Sequence, residues 1–78
     1  MFYVYVLRSL SRNYIYVGLT NDVRKRLRQH NSGLNRTTRA YRPFELIRIE
    51  TFSTRIAARK REKYFKSGVG KEFLKSLT

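Results

Sequence analysis

The 78-residue chain carries 18 Lys and Arg against 5 Asp and Glu, a formal net charge of +13, and is expected to form one domain over residues 1–78. Its hydrophobic share of 41%, with six Tyr and five Phe, predicts a packed core, and the absence of Cys excludes disulfides, thiolate zinc sites and Cys nucleophiles. The positive charge favours nucleic acid as the partner of this chain. An anionic membrane surface is the less favoured alternative, because neither an 18-residue apolar stretch nor a signal peptide is found. A cytoplasmic location is therefore expected.

Two apolar runs rich in Val and Tyr open the chain. Residues 2–8 (FYVYVLR) predict a central strand, and residues 14–19 (YIYVGL) predict a second strand that pairs with it as an antiparallel hairpin. Alternation along a strand places Tyr14, Tyr16 and Gly18 on one face. If the turn is centred between residues 10 and 11, Tyr5 lies directly opposite Tyr16.

A first helix is predicted over residues 23–30, after possible N-caps at 20–22 and before the Ser-Gly pair at 32–33. At 100° per residue, one helix face carries positions 23, 26, 27 and 30. Arg26 and His30 are therefore expected to point inward with Val23 and Leu27.

The second half of the chain predicts a basic loop, a strand and two helices. Residues 34–43 are the basic loop, residues 44–52 the third strand, and a long helix runs from a cap at 53–54 to Lys66, with Gly68 as its C-cap. Gly70 is expected to start a short terminal helix. Glu62 falls on the packing face of the long helix, with Ala58, Arg61 and Phe65. The order β-β-α-β-α-α predicts an α+β domain with a small antiparallel three-stranded sheet flanked by helices.

These elements carry residues that resemble the GIY-YIG nuclease family. Tyr3-Val4-Tyr5 stands where the first signature triplet belongs and Tyr16-Val17-Gly18 stands for the second, with a tyrosine spacing of eleven. VRKRLRQHNSG resembles the arginine helix of the family, with Arg26 and His30, and AARKREKYFK resembles its glutamate helix, with Glu62. The resemblance covers nearly the whole chain and is greatest for the small, single-domain bacterial subgroup.

The resemblance implies a metal-dependent endonuclease that hydrolyses phosphodiester bonds, in DNA rather than RNA, as in repair or recombination. Glu62 would hold one divalent ion, Mg²⁺ or Mn²⁺, that supports the leaving oxygen. Tyr5 and Tyr16 would help to take the proton of the attacking water, and Arg26 would hold the phosphate. His30 is a further candidate catalytic residue. Because the pKa of a free tyrosine is about 10, a tyrosine base requires a cationic site.

Four of the candidate residues also have a purely structural interpretation. Glu62 could form an ion pair with Lys66 at i+4, and His30 could be a satisfied, partly buried imidazole. Gly18 could mark a strand kink, although its missing side chain would also let a phosphate approach. Thr20 could be only a helix cap.

Backbone phosphates are the expected partners of the remaining basic residues, which contribute affinity without reading sequence. With Gly18 and Thr20, the predicted nucleic-acid contacts are Arg24, Arg28, Arg36, Arg39 and Arg42. A chain of this size is expected to be a monomer or a weak homodimer with little sequence specificity of its own, with an unidentified recruiting protein as a further partner.

The chain departs from the family pattern in two places. The first triplet lacks its Gly, and the terminal segment GKEFLKSLT lacks the Asn found in larger members. The second departure keeps open a catalytically weak or inactive nucleic-acid-binding module on the same scaffold. A small ribosome-associated protein would suit the charge but would leave the hairpin tyrosines, Arg26 and Glu62 unexplained.

Overall fold

A computed structural model describes residues 1–77; Thr78, the last residue of the predicted domain, lies outside the described residues. The fold is α+β, and its elements follow the predicted order. They are β1 (Phe2–Ser9), β2 (Ile15–Thr20), α1 (Val23–Ser32), β3 (Phe44–Phe52), α2 (Arg55–Lys66) and α3 (Gly68–Lys75).

The three strands form one antiparallel sheet in the order β2-β1-β3, so the central position predicted for the first strand is confirmed. The predicted hairpin register was wrong, because Tyr5 pairs with Gly18, not with Tyr16. The register is shifted by two residues, so the centre of the turn lies one residue later than expected, between residues 11 and 12. Its shape depends on the Ser9 hydroxyl, which accepts hydrogen bonds from the N–H groups of Ser11 and Arg12 at 3.2 and 3.0 Å.

The helices cover both faces of the sheet. On one face Val4 and Val6 of β1 pack with Ala58 and Phe65 of α2, and on the other Tyr5 packs in a cluster that includes residues of α1. Side chains that alternate along β1 thus enter two separate clusters. At about 25 cal/mol per Å² of apolar surface, burial on both faces provides the main stabilisation of so short a chain.

Polar caps set the ends of the first two helices. Asp22, one of the three predicted caps, accepts a hydrogen bond from the N–H of Lys25, and Gly33 ends α1 in the left-handed region at φ 82°. Thr54 caps α2 by accepting from the N–H of Ala57 at 3.2 Å.

The boundary between α2 and α3 differs from the prediction. Gly68 is not the C-cap of α2, because Ser67 ends α2 and its hydroxyl also accepts a hydrogen bond from the N–H of Gly70 at the start of α3. The terminal helix therefore begins at Gly68, two residues earlier than expected. A side chain at Gly70 would lie 2.7 Å from the Cα atom of Phe65, so the backbones of α2 and α3 are in direct contact.

Two further interactions hold loops and helices to the sheet. Glu50 of β3 accepts hydrogen bonds from Arg61 of α2 at 2.7 Å and from Arg48 at 2.6 Å. The side-chain amide of Asn31 pairs with the backbone of Phe44, donating to its carbonyl and accepting from its N–H.

The basic loop is not wholly irregular, since residues 39–41 form one 3₁₀ turn.

Candidate active site

The candidate site is built around Tyr5, whose ring lies across the hairpin over Gly18. The side chain of Tyr5 is fully buried, with 0% exposure. A Cβ atom added at Gly18 would lie 2.7 Å from Cε1 of that ring and closer still to Cζ and the hydroxyl oxygen. Gly18 therefore provides the space that the ring of Tyr5 occupies, which is a different reason for a glycine from the strand kink considered above.

Three rings of the predicted site form one cluster. The ring of His30 lies 4.7 Å from that of Tyr16 and 6.0 Å from that of Tyr5, measured between centroids. The two tyrosine rings are 6.1 Å apart. His30 reaches them because it lies on the inward face of α1, in the helical turn after Arg26. The predicted inward orientation of His30 is confirmed by its 1% exposure.

Hydrogen bonds join the polar atoms of this cluster. The Tyr5 hydroxyl lies 3.1 Å from Nε2 of His30, and Nδ1 of the same ring lies 2.8 Å from the hydroxyl of Thr38. The guanidinium of Arg26 donates a hydrogen bond to Gln29 at 3.1 Å and lies close enough to the hydroxyls of Tyr5 and Tyr16 to interact with both. Sequence reasoning missed Thr38, because a threonine in a loop rich in arginine has no periodicity that would indicate burial.

Burial and charge set the protonation states of the site. Burial raises the pKa of Tyr5 to about 12, and the opposing hydrogen bond from Arg26 does not offset it. Burial lowers the pKa of His30, and the positive charge of Arg26 lowers it further. At neutral pH the site therefore contains a protonated Tyr5, a neutral imidazole and a charged Arg26, whose pKa the hydrogen bond to Tyr5 raises.

Glu62 occupies a different layer of the molecule. It lies on α2, which packs on the opposite face of the sheet from Tyr5. Its carboxylate pairs with Lys66 at 3.2 Å and with Arg59 at 3.7 Å. No contact within residues 1–77 joins it to the tyrosines, so its place in the site stays a prediction.

The two helices approach each other beyond the end of β2. Arg26 of α1 and Arg55 of α2 line one surface cleft of about 270 Å³ there, together with Thr20. Glu62 is seven residues after Arg55, which places it on the same face of α2 and about 10 Å further along the axis. A site that includes Glu62 must therefore lie at this edge of the sheet, where both helices can be reached.

The donor set around Glu62 fits only one kind of divalent ion site. No group of three or more His, Asp or Glu side chains that could hold a metal occurs within residues 1–77. Mg²⁺ is commonly bound through one or two carboxylates while it keeps waters and takes the remaining oxygens from a phosphate. The Glu62 side chain is 12% exposed, and both of its cationic partners are more than half exposed, so neither encloses the carboxylate. The residues thus fit an ion shared with a bound phosphate and not a preformed protein cage.

The predicted phosphate contacts lie outside the tyrosine cluster. The exposed side chains of Arg24 and Arg28 point away from the sheet. Three arginines of the basic loop line a separate open cavity of about 570 Å³, namely Arg36, Arg39 and Arg42. The hydroxyl of Thr20 accepts a hydrogen bond from the N–H of Asp22, as the cap interpretation expects. Its role toward a phosphate, like those of the five arginines, stays a prediction.

Comparison with known proteins gives one consistent result. The model of the GIY-YIG catalytic domain matches residues 1–75. A UPF0213 protein of Bacillus pumilus is 44% identical over 71 residues, which cover 90% of this chain and 71% of that protein. UPF0213 protein YazA of Bacillus subtilis is 42% identical over 65 residues, covering 82% of this chain and 65% of that one.

A solved structure is similar over the entire fold. The solution NMR structure of a UPF0213 protein from Bacillus halodurans matches 100% of this chain and 86% of its own, with 35% identity and a TM-score of 0.58. As for membranes, none of the helices described in residues 1–77 has the length and apolar character needed to cross one.

Proposed function

Since this chain belongs to the GIY-YIG family, a family of nucleases, we propose that it is a divalent-metal-dependent endonuclease that hydrolyses phosphodiester bonds in DNA with little sequence specificity. The observation that supports this most is the position of one guanidinium, that of Arg26, beside the hydroxyls of both signature tyrosines. A phosphate bound by Arg26 would therefore lie next to a tyrosine hydroxyl that can take part in proton transfer.

The two tyrosines have different parts in this proposal. Tyr5 is fully buried and its pKa is raised to about 12, so it keeps its proton and cannot meet a water molecule. Tyr16 is only partly buried, which makes it the phenol that can contact water. To act as the base it must first give its own hydroxyl proton to solvent and then take the proton of the attacking water. The adjacent guanidinium of Arg26 offsets the negative charge that builds up on the phosphate in the transition state.

Charge neutralisation completes the proposal. The guanidinium of Arg26 presents N–H donors in a fixed plane that suits phosphate oxygens. A Mg²⁺ or Mn²⁺ ion held by Glu62 would supply further positive charge at the leaving oxygen. The basic side chains of α1 and the loop would bind neighbouring phosphates, which positions the strand without selecting a sequence.

The test is plasmid nicking in Mg²⁺ or Mn²⁺ with two pairs of variants. Glu62→Gln should abolish metal-dependent cleavage and leave binding unchanged or slightly tighter, whereas the control Glu72→Gln, at an exposed carboxylate of α3, should cut like the parent. Arg26→Ala should weaken binding and slow cleavage by at least about a hundredfold. Its control is Arg24→Ala on the outer face of α1, which should affect binding only. Equal cleavage by Glu62→Gln and the parent would refute the metal assignment.

A second candidate function is a nucleic-acid-binding module without cleavage. It is favoured by the absence of Asn in α3, whose residues are GVGKEFLK, and by the ion pairs that occupy the Glu62 carboxylate. Under this proposal the parent binds linear, branched or single-stranded DNA with micromolar affinity or better and cuts none of them. The same nicking assay distinguishes the two functions.

A further inference from the structure

Thr38 is the buried polar residue that neither the family pattern nor the proposed chemistry explains. Its exposure is 0%, and it lies just before the 3₁₀ turn of the basic loop. Within residues 1–77 its hydroxyl has one hydrogen-bond partner, Nδ1 of His30 at 2.8 Å. Its backbone N–H is already bonded to the carbonyl of Asn35.

The direction of that hydrogen bond follows from counting protons. The hydroxyl has a single proton, and a buried O–H without an acceptor costs about 1–3 kcal/mol. If Nδ1 of His30 donated to Thr38, the hydroxyl proton would have no acceptor among the described residues. Thr38 therefore donates to Nδ1.

A neutral imidazole carries its proton on one nitrogen only, so a Thr38 donor leaves that proton on Nε2. Nε2 lies 3.1 Å from the Tyr5 oxygen, which then accepts from it. The same oxygen is in contact with Arg26, which can only donate. The remaining polar neighbour of the Tyr5 hydroxyl is Tyr16, whose ring lies 6.1 Å away between centroids and whose hydroxyl interacts with that of Tyr5, so the Tyr5 proton is available to it.

We infer that Thr38 is a positioning residue that holds His30 as the Nε2–H tautomer and thereby directs the hydroxyl proton of Tyr5 toward the oxygen of Tyr16. The four groups form one chain of donors, from Thr38 through His30 and Tyr5 to Tyr16. A hydrogen bond donated to the Tyr16 oxygen occupies one of its acceptor positions and so sets the direction in which that oxygen meets a water molecule. This catalytic consequence rests on the proposed function, whereas the tautomer itself does not.

The tautomer can be observed directly, because His30 is the sole histidine of the chain. In the full chain labelled with ¹⁵N in the imidazole ring, the parent at neutral pH should show a protonated Nε2 and a hydrogen-bonded, unprotonated Nδ1. A protonated Nδ1 in the parent would overturn the inference, whatever the activity of the protein.

Variants at two adjacent threonines test the role of the hydroxyl. Thr38→Ser keeps the donor and should retain the ring spectrum and the cleavage rate of the parent. Thr38→Val removes it and should shift the Nδ1 resonance toward that of a nitrogen without a hydrogen bond. It should also lower kcat about tenfold with KM changed less than about twofold. The control is Thr37→Val at the exposed neighbouring position, which should change neither measurement.

The possible outcomes separate the two proposals. Unchanged His30 ring signals in Thr38→Val would refute the inference. If Thr38→Val does not fold, the ring spectra of the parent and of Thr38→Ser decide the question. If the parent does not cleave DNA but shows the Nε2–H tautomer, the nuclease proposal fails and the assignment of Thr38 stands.

Discussion

The close approach of the Tyr5 ring to Gly18 predicts that Gly18→Ala destabilises the protein. The new methyl carbon would lie 2.7 Å from Cε1 of Tyr5 and closer to two further atoms of that side chain. The ring cannot move aside easily, since it is fully buried and packs against Tyr16 and His30. An overpacked core site of this kind costs about 1–3 kcal/mol.

The net effect is smaller than the clash alone. Alanine restricts the unfolded chain more than glycine does, which returns about 0.4–1 kcal/mol to the folded state. We therefore expect the free energy of unfolding to fall by roughly 1–2 kcal/mol, from a total of about 4–12 kcal/mol for a chain of this length. A loss of that size lowers Tm by about 4–16 °C.

Urea and thermal unfolding followed by circular dichroism measure this change. The matched control is Gly68→Ala, at a glycine with no atom within 4 Å of the added carbon, and it should be neutral or slightly stabilising. In a Tyr5→Leu background, Gly18→Ala should cost less than in the parent, because the colliding atoms are gone. If Gly18→Ala unfolds within about 0.5 kcal/mol of the parent, the ring of Tyr5 does not lie over Gly18.

Three further predictions concern charge. Affinity for duplex DNA should fall with salt at a log-log slope of about −0.9 per phosphate neutralised, and a salt-independent dissociation constant would contradict phosphate binding. Because burial lowers the pKa of His30 below its usual 6.5, the unfolded chain takes up this proton first, so folding stability should be complete above pH 6.5 and decrease below it. Urea midpoints of the parent should show this decrease and those of His30→Gln should lack it; equal pH dependence in both would contradict the assignment. Glu50→Gln should lower the free energy of unfolding by about 1–2 kcal/mol, since Arg61 and Arg48 lose a charged acceptor that is 18% exposed. The exposed Glu72→Gln should change it by less than about 0.5 kcal/mol, and an equal effect of the two variants would refute a special role for Glu50.

The parts of the fold that depend on local periodicity could be predicted from sequence. Runs of Val and Tyr identified the hairpin strands, and the 3.6-residue period placed Arg26 and His30 on the inner face of α1. These features depend on neighbouring residues alone, so no knowledge of the tertiary structure was needed. The same patterns predicted the order of the elements, and the family resemblance added the candidate roles.

The parts that depend on tertiary contacts could not be predicted. The hairpin register depends on the position of the turn, in which the Ser9 hydroxyl accepts hydrogen bonds from two N–H groups, and periodicity does not describe such bonds. The burial of Thr38 depends on the path of a loop, which periodicity does not describe. The raised pKa of Tyr5 required knowledge of its full burial, since the nearby arginine alone suggested a shift in the other direction. The position of α2 on the opposite face from the tyrosines likewise required the assembled sheet.

The shared cap at Ser67 has a mechanical consequence for the C-terminal third of the protein. Ser67 both ends α2 and begins α3, so the junction between the two axes is a single residue whose hydroxyl is bonded to α3. The backbone contact at Gly70 further prevents sliding of one helix against the other. The two helices therefore form one fixed corner, which packs on the sheet as a unit through Phe65 of α2 and Leu74 of α3.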